Sequence, residues 1–214
     1  MHIAVKAGDE QKKEFITKGI APGITVHWLG ADEMLAGVEA NAYFDLLFNN
    51  DFIMADDFIA GKPVFVNAVI CAAKEIGRDN YIRLNAWPGF LQRPVIEIAT
   101  ASNSFKNSAE QILNAFGWQY IWAPDEPGMV AARVISMIVN EAYFGLADGI
   151  STRQGIDIAM KLGTNYPYGP FEWAQKIGLQ NIYFLLKKLQ KQYGNRYQAA
   201  SLLEKEALNN GIIA

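Results

Sequence analysis

The sequence predicts an α/β first part, a truncated doubly wound sheet, followed by an all-α second part. Three observations carry this expectation. Up to about Pro124, short β-type runs alternate with helical stretches. Runs such as Val64-Phe65-Val66 are apolar on both faces, as strands sandwiched between helical layers are. After Pro127-Gly128 the apolar residues recur at helical spacing instead. The boundary is placed at residue 125, giving parts 1–125 and 126–214.

In chain order, strands are expected over His2 to Ala7, Ile24 to Leu29, Tyr43 to Phe48, Pro63 to Val69, Tyr81 to Ala86, Pro94 to Ala99 and Trp118 to Trp122. Asp9 to Lys18, Asp32 to Gly37 and Ser108 to Phe116 read as the helices between them. Met129 to Asp148 is apolar or small nearly all round, which suits a helix buried in a core or a subunit interface. Ser151 with Gln154 has the form of a capping box, and that helix should stop at Gly163. Pro170 suits the first position of a further helix closing near Gly178. Leu179 to Tyr193 is amphipathic, with Ile182, Leu185, Leu186 and Leu189 on one face. Its basic residues near the end complement the helix dipole. A short polar helix, Gln198 to Asn209, closes the chain.

Composition narrows the functional classes. With 51% apolar residues in 214, the chain has ample core and is not a disordered segment. Lys+Arg 19 against Asp+Glu 22 leaves no basic stripe for nucleic acid. The longest apolar runs fall well short of the roughly 20 residues a membrane helix needs. The single cysteine, Cys71, excludes a disulfide scaffold and fits a reducing, cytoplasmic compartment. The first residues read as a strand rather than a signal peptide. No His/Cys/Asp/Glu grouping has zinc-ligand spacing, so no metal is expected.

One stretch is specific. Asn140-Glu141-Ala142, Gly149-Ile150-Ser151-Thr152, Ile156 to Met160, Gly163, Pro167 to Glu172 and Ile177-Gly178-Leu179 together resemble the C-terminal domain of the 3-hydroxyacyl-CoA dehydrogenases. The resemblance continues more faintly upstream from Gly128 to Tyr81. It implies a Rossmann-like first domain, NAD as cofactor, oxidation of a 3-hydroxyacyl-CoA, and a homodimer formed through the C-terminal helices. Pro167, Gly169 and Pro170 also read physically, as a tight turn entering a helix.

The departures from the family pattern lie where its chemistry lies. The G-x-G-x-x-G positions of the first turn fall on Ala7, Asp9 and Lys12, with Gly8 between them. Asp9 and Glu10 cap a helix well but place negative charge where a diphosphate would rest. The ribose-binding acid at the end of the second strand falls on Leu29, with Asp32 belonging to the next helix start. Little more than a dozen residues then lead to the third strand, where the family has a long helical excursion. Of the family's catalytic set, the Glu position is Glu97 and the His position is Asn85, whose amide cannot take a proton near neutral pH. The substrate-binding Ser falls near Val69, beside Asn67, and the Asn position falls on Ala132.

The residues admit plainer roles as well. Glu97 suits a carboxylate paired with Asn85 or an arginine; His2 and His27 suit structural positions in strands; Cys71 suits a buried apolar site. Trp87 to Phe90, Trp118 and Trp122 suit core packing over an apolar pocket. The expectation is a catalytically degenerate relative without bound cofactor, acting as a ligand-binding or structural dimer with an acyl-CoA-like ligand. The competing expectation is an active NAD-dependent oxidoreductase with a non-standard site.

Overall fold

The computed structural model describes residues 1–48 and 59–209. It divides into two compact units, Met1–Met129 and Val130–Ala214. In the first unit the described strands are β1 (His2–Lys6), β2 (Thr25–Leu29), β3 (Ala42–Asp45), β4 (Val64–Val66), β5 (Tyr81–Leu84), β6 (Val95–Ala99) and β7 (Gln119–Trp122). They form one sheet in the order β2-β1-β3-β4-β5-β6-β7. Strand order reverses at β1, whose neighbours are β2 and β3, so the switch point of this α/β sheet lies between β1 and β3.

Helices α1 (Asp9–Lys18), α2 (Ala73–Ile76) and α3 (Lys106–Phe116) connect the strands. Period-2 alternation divides the sheet residues between two cores. Ile3, Val5, Phe44, Phe65, Ile82, Leu84, Ile96 and Ile98 pack with Phe15 of α1 and with Ile112, Leu113 and Phe116 of α3. Ala4, Leu29, Tyr43, Val64, Val66 and Tyr81 line the other face with Leu35, Cys71 and Ile76. Trp87, Phe90 and Trp118 are buried, and Trp122 packs at the edge of the first core.

The sheet departs from a wholly parallel one at a single place. β5 and β6 pair antiparallel, with Arg83 opposite Ala99 and Leu84 opposite Ile98. The ten residues between these strands are too few for a crossover helix, which takes about a dozen or more, so the chain returns as a hairpin. The helix expected over Asp32 to Gly37 is only a 3₁₀ turn at Leu35–Gly37. Gly30, Asp32 and Gly37 make that stretch a poor helix former. The short α2 carried no periodic pattern in the sequence.

In the second unit the helices are α4 (Ala131–Ala147), α5 (Arg153–Thr164), α6 (Pro170–Ile177), α7 (Leu179–Tyr193) and α8 (Ser201–Asn209). The cap of α5 is Thr152, whose hydroxyl accepts from Gly155 N at 3.1 Å, rather than Ser151. The closing helix begins at Ser201 instead of Gln198, because Asn195–Tyr197 form a separate 3₁₀ turn. α4 is not buried all round: Ile135, Val139 and Tyr143 face the core, while Val130 just before it, Val134 and Phe144 are exposed. None of the described helices is long and apolar enough to cross a membrane.

Candidate functional site

Asn85 follows β5 directly, and the antiparallel register sets it opposite Glu97 of β6, with Asn85 N donating to Glu97 O at 3.3 Å. Leu84 and Ile98, one position along, both belong to the first core. Asn85 and Glu97 therefore share the opposite face of the sheet, where cross-strand neighbours lie within contact distance. Both are buried, Asn85 at 2% exposure and Glu97 at 9%. Asn85 Oδ1 accepts from Trp87 N at 3.4 Å, while its Nδ2 has no acceptor among the described residues. Arg93 lies close enough to sense Glu97: burial pulls its guanidinium down and the Glu97 charge pushes it up.

The other residues singled out from the sequence are committed to the scaffold. Asn67 Nδ2 donates to Leu46 O at 3.3 Å and its Oδ1 accepts from Ala86 N at 2.9 Å, tying the ends of β3 and β5 together. Val69 is buried, and its carbonyl accepts from Gly128 N at 2.8 Å. Ala132, in the helical unit, is fully buried and offers no polar group. His2 and His27 are exposed. Among the described residues, no group of three His, Cys, Asp or Glu side chains converges as a metal site.

At the switch point, Gly8 is the N-cap of α1. Gln11 Oε1 accepts from Gly8 N at 3.2 Å, and Gln11 Nε2 reaches Leu46 O at 3.4 Å. A β-carbon on Gly8 would lie 3.6 Å from Leu47 Cδ2, so Leu47 stands against the turn. Asp9 and Glu10 occupy the first turn of α1. At the end of β2, Leu29 is buried among apolar neighbours, and Glu33 takes the Gly30 N–H at 2.6 Å.

An ion pair joins β5 to the segment after β7, its guanidinium buried and its carboxylate half-buried. Arg83 is fully buried in β5 and all five of its N–H groups have acceptors. Nε donates to Ala68 O, Nη2 to Val69 O and Glu126 O, and Nη1 to Glu126 O and Asp125 Oδ1. Asp125 also receives the Ala73 and Lys74 N–H groups at the start of α2. Burial raises the Asp125 carboxyl, but these backbone donors and the Arg83 guanidinium together hold it below the usual carboxylate value. The only sequence signal was a charged residue inside the apolar run Tyr81 to Leu84.

The helical unit has its own knot. Arg153 donates to Tyr143 Oη at 3.3 Å and to Glu206 at 2.5 Å, and Tyr143 donates to Glu206 at 3.0 Å. The three line a cleft of about 580 Å³ with Phe171, Gln175 and Asn181. Nearby, buried Asp157 accepts from Phe171 N at 2.8 Å and so caps α6.

A mostly parallel Rossmann-type sheet followed by a helical unit is a known two-part architecture. Mycobacterium tuberculosis FadB2 shares it with a TM-score of 0.75 over 97% of this chain and 93% of that one, at 12% identity. Residues 128–212 match the family described as 3-hydroxyacyl-CoA dehydrogenase, C-terminal domain. A 118-residue stretch is 42% identical to 3-hydroxyadipyl-CoA dehydrogenase of Escherichia coli, covering 53% of this chain and 25% of that protein. An 82-residue stretch is 38% identical to 3-hydroxybutyryl-CoA dehydrogenase of Clostridioides difficile, covering 38% of this chain and 29% of that protein. Residues 128–212 are thus similar to the C-terminal domain of the 3-hydroxyacyl-CoA dehydrogenases. The matched stretches span less than a third of these curated relatives.

Proposed function

We propose that this chain is a catalytically silent member of the family, a homodimer that holds an acyl-CoA-like ligand or serves as a structural partner. The observation that carries this reading is Asn85, in the family's His position and set opposite Glu97 by the hairpin register. A carboxylate in that place would orient and charge-stabilise an imidazole base. An amide there accepts no proton near neutral pH, so the pair lacks the imidazole base that would draw a proton from a hydroxyl. NAD does not fit the turn after β1. Gln11 already takes the Gly8 N–H, Leu47 stands against the glycine, and Asp9 and Glu10 repel a diphosphate. Leu29 offers no carboxylate to a ribose hydroxyl.

The dimer rests on the exposed apolar residues of the helical unit, among them Val134, Phe144, Ile150 and Leu162. Large apolar side chains left in water on α4, on α5 and between them support an interface there. A second reading, an active NAD-dependent oxidoreductase of 3-hydroxyacyl-CoA, draws on the retained Glu97 and on the dehydrogenase names of the relatives.

Calorimetric titration with NADH and with acetoacetyl-CoA separates the readings. Binding of the thioester alone is the expected result for a ligand-holding role, and binding of neither for a structural one. Micromolar affinity for NADH would defeat the silent reading in favour of the oxidoreductase.

A further inference from the structure

Arg133, in the first turn of α4, holds its guanidinium over two aromatic rings, 4.7 Å from the centre of Tyr193 and 5.7 Å from that of Tyr197. The rings attract the charge through their faces, but a ring face does not satisfy the N–H groups in the guanidinium plane. Nε and Nη2 are buried and have no acceptor among the described residues. Leaving such donors unmet is costly, and the contrast with Arg83, whose five N–H groups are all engaged, is direct. The cation also sits in the first turn of α4, where the helix dipole favours negative charge. Nε and Nη2 form the edge that binds a carboxylate through two parallel hydrogen bonds. Tyr193 is the solvent-facing ring of the two: 42% exposed against 7% for Tyr197, it is the last residue of α7 and precedes Gly194.

We infer that Arg133, with Tyr193 and Tyr197, is a receptor for a carboxylate, held ready between two rings and completed when the anion takes the Nε and Nη2 donors. The carboxylate has two possible sources, a free small molecule or an acidic side chain of a second copy of this chain.

Side-chain N–H correlation spectra of arginine in the full chain test this, with the Arg133 signal identified by its loss in Arg133→Lys. Titration with sodium glutarate should move the Arg133 Nε–H downfield saturably, while sodium chloride at matched ionic strength should not. That outcome supports a free carboxylate. A downfield movement with rising protein concentration alone, without glutarate, supports a carboxylate from a second copy. A signal unmoved by both glutarate and protein concentration overturns the inference. Should Arg133→Lys fail to fold, sequential assignment in the unmodified chain identifies the same signal. In a folded Arg133→Lys, glutarate should bind roughly tenfold more weakly, because an ammonium lacks the paired edge.

Discussion

Gly169 has φ −73, which any residue adopts, so its role is one of space rather than conformation. A β-carbon there would fall 2.3 Å from Asp157 Oδ1, the atom that caps α6. Gly169→Ala should therefore cost about 1–3 kcal/mol, the usual range for overpacking, read as a drop in urea midpoint. Arg83 and Asp125 make a second prediction at this scale. Arg83→Met takes the guanidinium from half-buried Asp125 and from the Ala68 and Glu126 carbonyls, so it should cost about 3 kcal/mol in the same measurement. Asp125 has a folded pKa below its unfolded value near 4. Its contribution is thus complete above that pH and fades as pH falls through the folded value. Asp125→Asn should flatten the acid limb of a stability–pH profile; a limb of unchanged steepness would assign acid sensitivity to other carboxylates. Under the proposed function, Asn85→His places an imidazole opposite Glu97 yet gives no dehydrogenase turnover, because Asp9 and Glu10 after β1 repel a diphosphate. Measurable NADH oxidation with acetoacetyl-CoA in that variant would contradict the proposed function. Of these residues, Asn85, Glu97 and Gly169 stood out in the sequence, each at a motif position. Arg83 and Asp125 did not, since 42 residues separate them and only folding makes them neighbours.

Among the elements, α1 and the β5–β6 hairpin position the candidate site. α1 is mostly polar and is held to the sheet largely by Phe15, whose ring meets Trp28, Phe44, Phe116 and Trp118 edge-on at 4.8–5.5 Å. Phe15→Ala should cost about 3–5 kcal/mol, as large-to-small changes in a filled core do, and should lower the thermal midpoint. A loss below about 1 kcal/mol would show that α1 is held chiefly by its polar contacts. One of those is Glu14, which accepts from Gly89 N at 2.5 Å and ties the helix to the hairpin turn. The seven described strands were legible in the sequence, the inner ones such as Val64–Val66 as continuous apolar runs from two-sided burial, and the edge strands β2 and β7 as β-type runs with alternating exposure. Direction was not legible. Whether β6 runs with or against β5 depends on how far the connecting residues reach, and the run Val95 to Ala99 is the same either way.

For the whole molecule, exposed Val134, Phe144, Ile150 and Leu162 predict association. Light scattering should give twice the mass of one chain at micromolar concentration, and Phe144→Glu should shift the equilibrium toward monomer. A single-chain mass at high micromolar concentration would remove the dimer from the proposal.

The sequence by itself determined that an α/β part precedes a helical part and that residues 128–212 carry the pattern of the 3-hydroxyacyl-CoA dehydrogenase C-terminal domain. These are properties of residue type and local spacing. Only the tertiary structure decided that Asn85 lies opposite Glu97, that Gln11 takes the Gly8 N–H after β1, that Arg83 is fully satisfied and that two Arg133 donors have no acceptor among the described residues. Each of these is a relation between side chains far apart in the chain or turned by a backbone the sequence does not fix locally. Hydrogen bonding and burial act through such distances, which spacing along a sequence does not contain.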